Sequence, residues 1–293
     1  ATREVFTAHA EAVAAAAQAN SPHSLKLHAS PQLELFAGEF IQTASDAILL
    51  SYCDADIYQR DLGLFEEGQW LNDACINYCF RRIEMGDPHP SILLMDPAVV
   101  SFLKIQVTDD EERAELAAGL GLQSREWILA PVNDCDSFSS ACSHWSLLLC
   151  HVSTGRMVHY DSNGRYNQEA ARKTALHVSK LMGTAAWEPV RAAVPQQTNG
   201  YDCGMYAVMF ADRLRALITC EQDRLVEQLG KGGQGPIATQ LCSITPEAVA
   251  GRRQYWKRDI LDLAKDYRQR SGGSTLCSAP QTLAKAAADT TAV

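Results

Sequence analysis

The chain has 293 residues, of which 46% are hydrophobic, and carries a formal net charge of −9. That length and apolar content can bury a substantial core. The acidic balance, with no Lys/Arg-rich run, excludes binding to a phosphate backbone and suits a partner with a basic face. No apolar run reaches the roughly 18 to 20 residues that a bilayer span requires, so neither nucleic acid nor membrane is an expected partner. Ten cysteines are scattered through apolar stretches without a secretory signal. This usage predicts free thiols in a reducing compartment, cytoplasmic and/or nuclear.

Residues 1–47 read as an N-terminal extension, alanine-rich at first, in which Glu4 and Glu11 beside a single arginine make a poor transit peptide. From residue 48 the periodicity predicts helices at about 70–83, 94–104 and 110–120, then strands at about 127–132, 145–152 and 157–161. A helix near 167–182, a strand near 188–193 and helices at 203–228 and 246–268 complete a domain over 48–270. Helices ahead of a compact sheet give an α+β class. The glycine-rich segment Gly230 to Pro236 lacks the Gly-Lys-Ser/Thr ending of a phosphate loop and reads as a flexible insertion near 229–236. Residues 271–293 have the composition of a disordered tail.

The chemistry concentrates around Cys203, which stands where the polar loop Gln196 to Asp202 turns into an apolar helix. A free thiol is mostly protonated at neutral pH, whereas a helix N-terminus and a neighbouring imidazolium favour the thiolate. An isolated cysteine on an apolar helix is more often a core residue, so the case rests on what accompanies it. The strand after His144 and the strand before Asp161 form a hairpin about the turn signal Thr154-Gly155, bringing an imidazole and a carboxylate to one edge. A two-residue turn sets Asp161 opposite Leu148, short of His144, and a longer turn, bulge or twist has to close the gap. His151 and His159 lie on the same hairpin as competitors for the base. Gln197, six positions before Cys203, offers an amide that with the Cys203 backbone N–H could hold an oxyanion. Asp202 reads as a helix-start residue satisfying backbone donors. Cys75 and Cys79, one turn apart, lack a second pair for zinc and read as core, while Cys135 and Cys142 flank a polar loop as bystanders.

The order His144-Trp145-Ser146, Tyr160-Asp161-Ser162 and Gln197 through Cys203-Gly204-Met205-Tyr206 resembles the sentrin-specific (Ulp-type) ubiquitin-like-modifier proteases. Leu50-Ser51-Tyr52, Arg60-Asp61-Leu62 and Trp70-Leu71-Asn72-Asp73 resemble that family's opening segment. The run from Ile244-Thr245-Pro246 through Trp256-Lys257 resembles the closing helix of its deneddylase branch. The resemblance spans roughly residues 48 to 268. It implies a papain-like cysteine protease fold, with an antiparallel sheet and a central helix bearing the nucleophile. The implied roles are Cys203 as nucleophile, His144 as base, Asp161 as its orienter and Gln197 in the oxyanion hole. Trp70 and Trp145 would wall a tunnel that admits only a diglycine tail, and Asp73 would contact the modifier near that tail.

The implied function is cleavage after the C-terminal Gly-Gly of a ubiquitin-like modifier of the Nedd/Rub type, in processing and deconjugation, by a monomer needing no cofactor or metal. The alternatives are a SUMO-type protease, an acyltransferase or a non-catalytic modifier-binding module on the same fold. The chain departs from the deneddylase pattern in residues 1–47, in an insertion around 219–240, and at Ala141-Cys142, where a glycine pair is expected.

Overall fold

The computed structural model describes residues 47–137, 139–140, 142–229 and 240–269. The N-terminal extension up to residue 46, the glycine-rich stretch from residue 230 and the tail lie outside the described residues.

The centre is a five-stranded sheet in the order β3-β4-β5-β6-β7, formed by Ile92–Leu94, Trp127–Asn133, Trp145–His151, Arg156–Tyr160 and Pro189–Arg191. Every residue of β4 and β5 is buried, as expected for apolar strands covered on both faces. Alternation along β5 divides the core. Leu147 and Leu149 face α1 (Asp73–Gly86), α5 (Cys203–Leu229) and α6 (Pro246–Gln269), whereas Leu148 and Cys150 face α2 (Pro97–Ile105), α3 (Asp110–Gly119) and α4 (Gln168–Leu181). The α+β layers therefore follow from the side-chain period of the strands.

The expected antiparallel sheet forms the centre, and its edges make the whole mixed. β4, β5 and β6 pair antiparallel, but both edge strands, β3 and β7, run parallel to their neighbours. Each edge pair is joined through helices, which supply the long crossover that parallel pairing demands. A two-stranded hairpin, β1 (Ile48–Tyr52) with β2 (Ala55–Tyr58), precedes the helices and was not anticipated.

The central hairpin also differs in register. His151 pairs with Arg156, so the connection is four residues long, and Leu148 lies opposite His159. Continuing that ladder puts Asp161 opposite Ser146, two residues from His144 rather than four. Gly155 makes the turn with φ +63°, and a Cβ there would meet Trp187 Nε1 at 2.8 Å.

Local caps fix the helix starts. Asn72 accepts from the Cys75 N–H at 2.9 Å, and Asp96 and Asp109 cap α2 and α3 in the same way. Asn72 is itself held by buried Asp61, to which it donates at 2.8 Å. The first helix thus starts at Asp73 rather than at residue 70, which leaves Trp70 in the extended approach. Helix α5 is broken by non-helical geometry at Glu221.

Cys135 and Cys142 are not free bystanders but a disulfide, with Cα atoms 5.0 Å apart. The antiparallel pairing of Asn133 with Trp145 draws together the ends of the loop between β4 and β5 and with them the two thiols. Among the described residues Cys75, Cys79, Cys150, Cys203 and Cys220 carry free thiols.

Candidate active site

Helix α5 begins at Cys203, which is 2% exposed. Asn199 shapes the approach: its Oδ1 accepts from the N–H groups of Tyr201 and Asp202 at 3.1 and 3.0 Å, and its Nδ2 donates to Asp202 at 2.7 Å. Gly204 lets the helix close against the preceding segment, since a Cβ there would lie 3.1 Å from Leu71 Cβ. The helix N-terminus, where backbone N–H groups are unpaired, is thereby presented at the sulfur.

His144, immediately before β5, approaches through its Nε2 to within 2.7 Å of Asp161 Oδ1. Its other ring nitrogen is the one left to hydrogen-bond Cys203. Burial pushes the imidazole towards neutrality, but the Asp161 carboxylate and the bond to Cys203 outweigh it and raise its pKa to about 9. Asp161 is fully buried, which alone would raise its pKa. The bonds from His144 and from the N–H groups of Asn167 (3.0 Å) and Asn163 (2.9 Å) instead hold it below the usual carboxylate range. Cysteine, imidazole and carboxylate are thus brought together as the sequence predicted, in an arrangement suited to a thiolate–imidazolium pair.

The competing histidines are excluded by their surroundings. Burial lowers His159 to about pH 4, and its Nε2 lies 2.9 Å from Ser146 Oγ. His151 is engaged at the hairpin turn by Glu126 and Thr154, and burial lowers its pKa as well.

The two glutamines divide cleanly. Gln196 is spent on backbone, accepting from Gly164 N–H and donating to the carbonyls of Asp161 and Val194. Gln197 accepts from Ser162 Oγ at 2.8 Å and donates to Asn199 O at 2.7 Å, so one hydrogen of its amide is left to donate. Trp145 is 6% exposed and donates its indole N–H to Leu71 O at 3.0 Å, while Trp70 is 47% exposed. Asp73, half-buried at the start of α1, has its pKa raised to about 6 by burial, against its own backbone N–H and Lys104.

Four residues escaped the sequence reading. Asn167 precedes α4 and looks like a cap, yet its amide turns inward to the carbonyls of Val132 and His144 and to Ser146 Oγ, each at 3.1 Å. Asp134 accepts from the N–H groups of Ser143 and His144 at 2.8 and 3.2 Å. Tyr166 sets its ring edge-on to His144 at 5.1 Å, with its hydroxyl 2.9 Å from Ser143 Oγ. Arg253 takes Asp202 as partner at 2.8 Å, which corrects the expectation that Asp202 caps the helix. The aspartate and asparagine spacings alone offered a signal for the first two.

Among the described residues no cluster of three metal-ligating side chains occurs, and no helix is long and apolar enough to cross a membrane. The Ulp1 protease family, C-terminal catalytic domain, matches residues 69–222. Sentrin-specific protease 8 of Homo sapiens is 28% identical over 225 residues, covering 75% of this chain and 99% of its own length. NEDD8-specific protease 1 of Arabidopsis thaliana is 28% identical over 173 residues, covering 58% of this chain and 76% of that relative. The fold is similar to the solved C-terminal Ulp1 protease domain, in complex with Smt3, the yeast ortholog of SUMO, with TM-score 0.53 and 18% identity over 83% of this chain and 99% of that one. A family match across more than half the chain, centred on a cysteine, a histidine and a buried aspartate in contact, makes this protein a cysteine protease of the Ulp1 ubiquitin-like-modifier protease family.

Proposed function

We propose that the chain is a deneddylase, a thiol protease and isopeptidase that cleaves after the C-terminal Gly-Gly of a Nedd/Rub-type modifier. The Cys203 thiolate attacks the carbonyl carbon of the terminal glycine, and the oxyanion is held by the Cys203 N–H and the free hydrogen of the Gln197 amide. The His144 imidazolium passes its proton to the departing amine as the C–N bond breaks, leaving a thioester on Cys203. Water, deprotonated by His144, then hydrolyses the thioester, while Asp161 keeps the imidazole in one orientation. The observation that carries this reading is the 2.7 Å His144–Asp161 contact, with the imidazole hydrogen-bonded to a cysteine at a helix start.

Trp70 and Trp145 flank the approach, where two flat walls pass a chain without side chains and stop a bulkier one. Asp73, at the head of α1, would meet the modifier near its tail. Every group named lies on one chain, which supports action as a monomer. Selectivity for the Nedd/Rub type draws on the relatives. Those named sentrin-specific protease 8 and NEDD8-specific protease are 28–29% identical, whereas sentrin-specific protease 2 of Rattus norvegicus is 23% identical over 179 residues. The test is a side-by-side kcat/KM comparison of Nedd/Rub, SUMO and ubiquitin fusions ending in Gly-Gly. The Nedd/Rub fusion is expected to be cleaved fastest, and equal or faster cleavage of the SUMO fusion overturns the selectivity.

A further inference from the structure

Arg253 lies on α6, outside the matched segment of residues 69–222, and is 3% exposed. All five of its N–H groups have acceptors. Nε donates to Asp202 Oδ1 at 2.8 Å, Nη1 to the carbonyls of Leu64 (3.0 Å) and Glu66 (3.2 Å), and Nη2 to those of Gln69 (2.9 Å) and Tyr201 (3.0 Å). The Tyr201 ring also lies 5.7 Å from the guanidinium carbon.

These acceptors belong to two segments that meet at the active site. Tyr201 and Asp202 are the last residues before Cys203, and Leu64 to Gln69 are the last before Trp70. The same two segments touch where Leu71 packs on Gly204, and Lys257, one turn further along α6, pairs with Glu66. Four carbonyls and one carboxylate from the two segments converge on this side chain, the Glu66 carbonyl accepting also from the Gln69 N–H at 3.4 Å, so the spacing between the Cys203 and Trp70 segments is set chiefly by the rigid fork of one guanidinium. A lysine in its place has three rotatable donors and cannot span five acceptors.

We infer that Arg253 is a positioning residue for the protease reaction, fixing the Cys203 helix start and the Trp70 segment relative to each other from the closing helix. The inference rests on Cys203 being the nucleophile. Arg253 touches neither substrate nor reacting atoms. Its effect is on alignment, and misplacement by about 1 Å at a reacting centre can cost on the order of a hundredfold in rate.

The test uses the full chain with Arg253→Lys and, as a matched control, Arg82→Lys, which weakens a pair between α1 and α6 distant in sequence from the cysteine. Rates are expressed per site titrated with a Gly-Gly-ending modifier probe, at a temperature where circular dichroism matches wild type. Arg253→Lys is expected to lower kcat about tenfold or more with KM nearly unchanged, while Arg82→Lys leaves kcat within twofold. In Arg253→Ala, added guanidinium ion is expected to restore part of the lost kcat. A kcat for Arg253→Lys within twofold of wild type, or equal losses in both lysine variants, overturns the inference. If Arg253→Lys does not fold, Asp202→Ala decides: it removes the acceptor for Nε and with it the side-chain link from Arg253 to the residue before Cys203, and unchanged kcat per titrated site there is equally fatal. Wild-type protein inert towards every modifier probe would instead refute the underlying functional reading.

Discussion

Asp161 shows how a single residue acquires its role from its partners. Its carboxylate accepts from His144, Asn163 and Asn167, so it stays ionised in a fully buried site and charges the imidazole in turn. The sign of the resulting pH dependence follows from the histidine. Its folded-state pKa of about 9 lies above the ordinary 6.5, so its stabilisation is complete below about pH 6.5 and is lost as pH rises through about 9. The melting temperature of the wild type should therefore fall between pH 6.5 and 9 by more than that of His144→Gln. Parallel curves would refute the assignment. Gln197 supplies the second residue-scale expectation. Loss of one oxyanion donor lowers kcat by about 10² to 10³, so Gln197→Ala should do so with little change in probe affinity. Gln196→Ala should act only by loosening the backbone it holds, at Gly164, Asp161 and Val194, and the two are separated by steady-state kinetics on one fusion substrate.

Helix α5 and the segment before α1 form the next scale. Gly204 is the contact point, and a methyl group there must displace Leu71 at its Cβ rather than at a flexible tip. Overpacking of this kind costs about 1 to 3 kcal/mol. Gly204→Ala is expected to lower stability by that amount and, if Trp70 borders the path of the modifier tail as proposed, to slow alkylation of Cys203 by a modifier vinyl sulfone more than alkylation by iodoacetamide, because the Trp70 segment moves with Leu71. Equal slowing with both reagents would place the damage at the thiol and not at the wall.

Across the whole molecule, α6 closes one face of the sheet and is fastened to α1. Arg82 donates twice to Asp259 at 2.8 Å, and Tyr78 donates to the same carboxylate at 2.6 Å. Asp259→Ala takes the acceptor from the buried Tyr78 hydroxyl and from two Arg82 N–H groups, while Arg82 keeps the Tyr52 hydroxyl at 3.1 Å, a loss of about 2 kcal/mol after allowance for the partial exposure of the guanidinium. Chemical denaturation should show that loss while kcat per titrated site stays at the wild-type level. A fall in kcat would mean that the fastening of α1 to α6, and not Arg253 alone, reaches the active site.

The sequence by itself determined which candidate residues meet and where the main elements lie. Cys203 at a helix start, His144 and Asp161 at the ends of a hairpin and the apolar runs of β4 and β5 are local patterns, set by side-chain period and capping within a few residues. Its errors fall where the answer depends on partners far along the chain. The parallel edge strands are decided by helical crossovers, the hairpin register by a four-residue turn, and the Cys135–Cys142 bond by strand pairing that closes a loop. Asp202 looked like a cap because its neighbours in sequence are helix donors, yet its charge is met by Arg253, 51 residues away. A guanidinium holding five acceptors from two distant segments leaves no mark in either segment's own sequence, so only the tertiary structure could decide what joins the Trp70 segment to the start of the Cys203 helix.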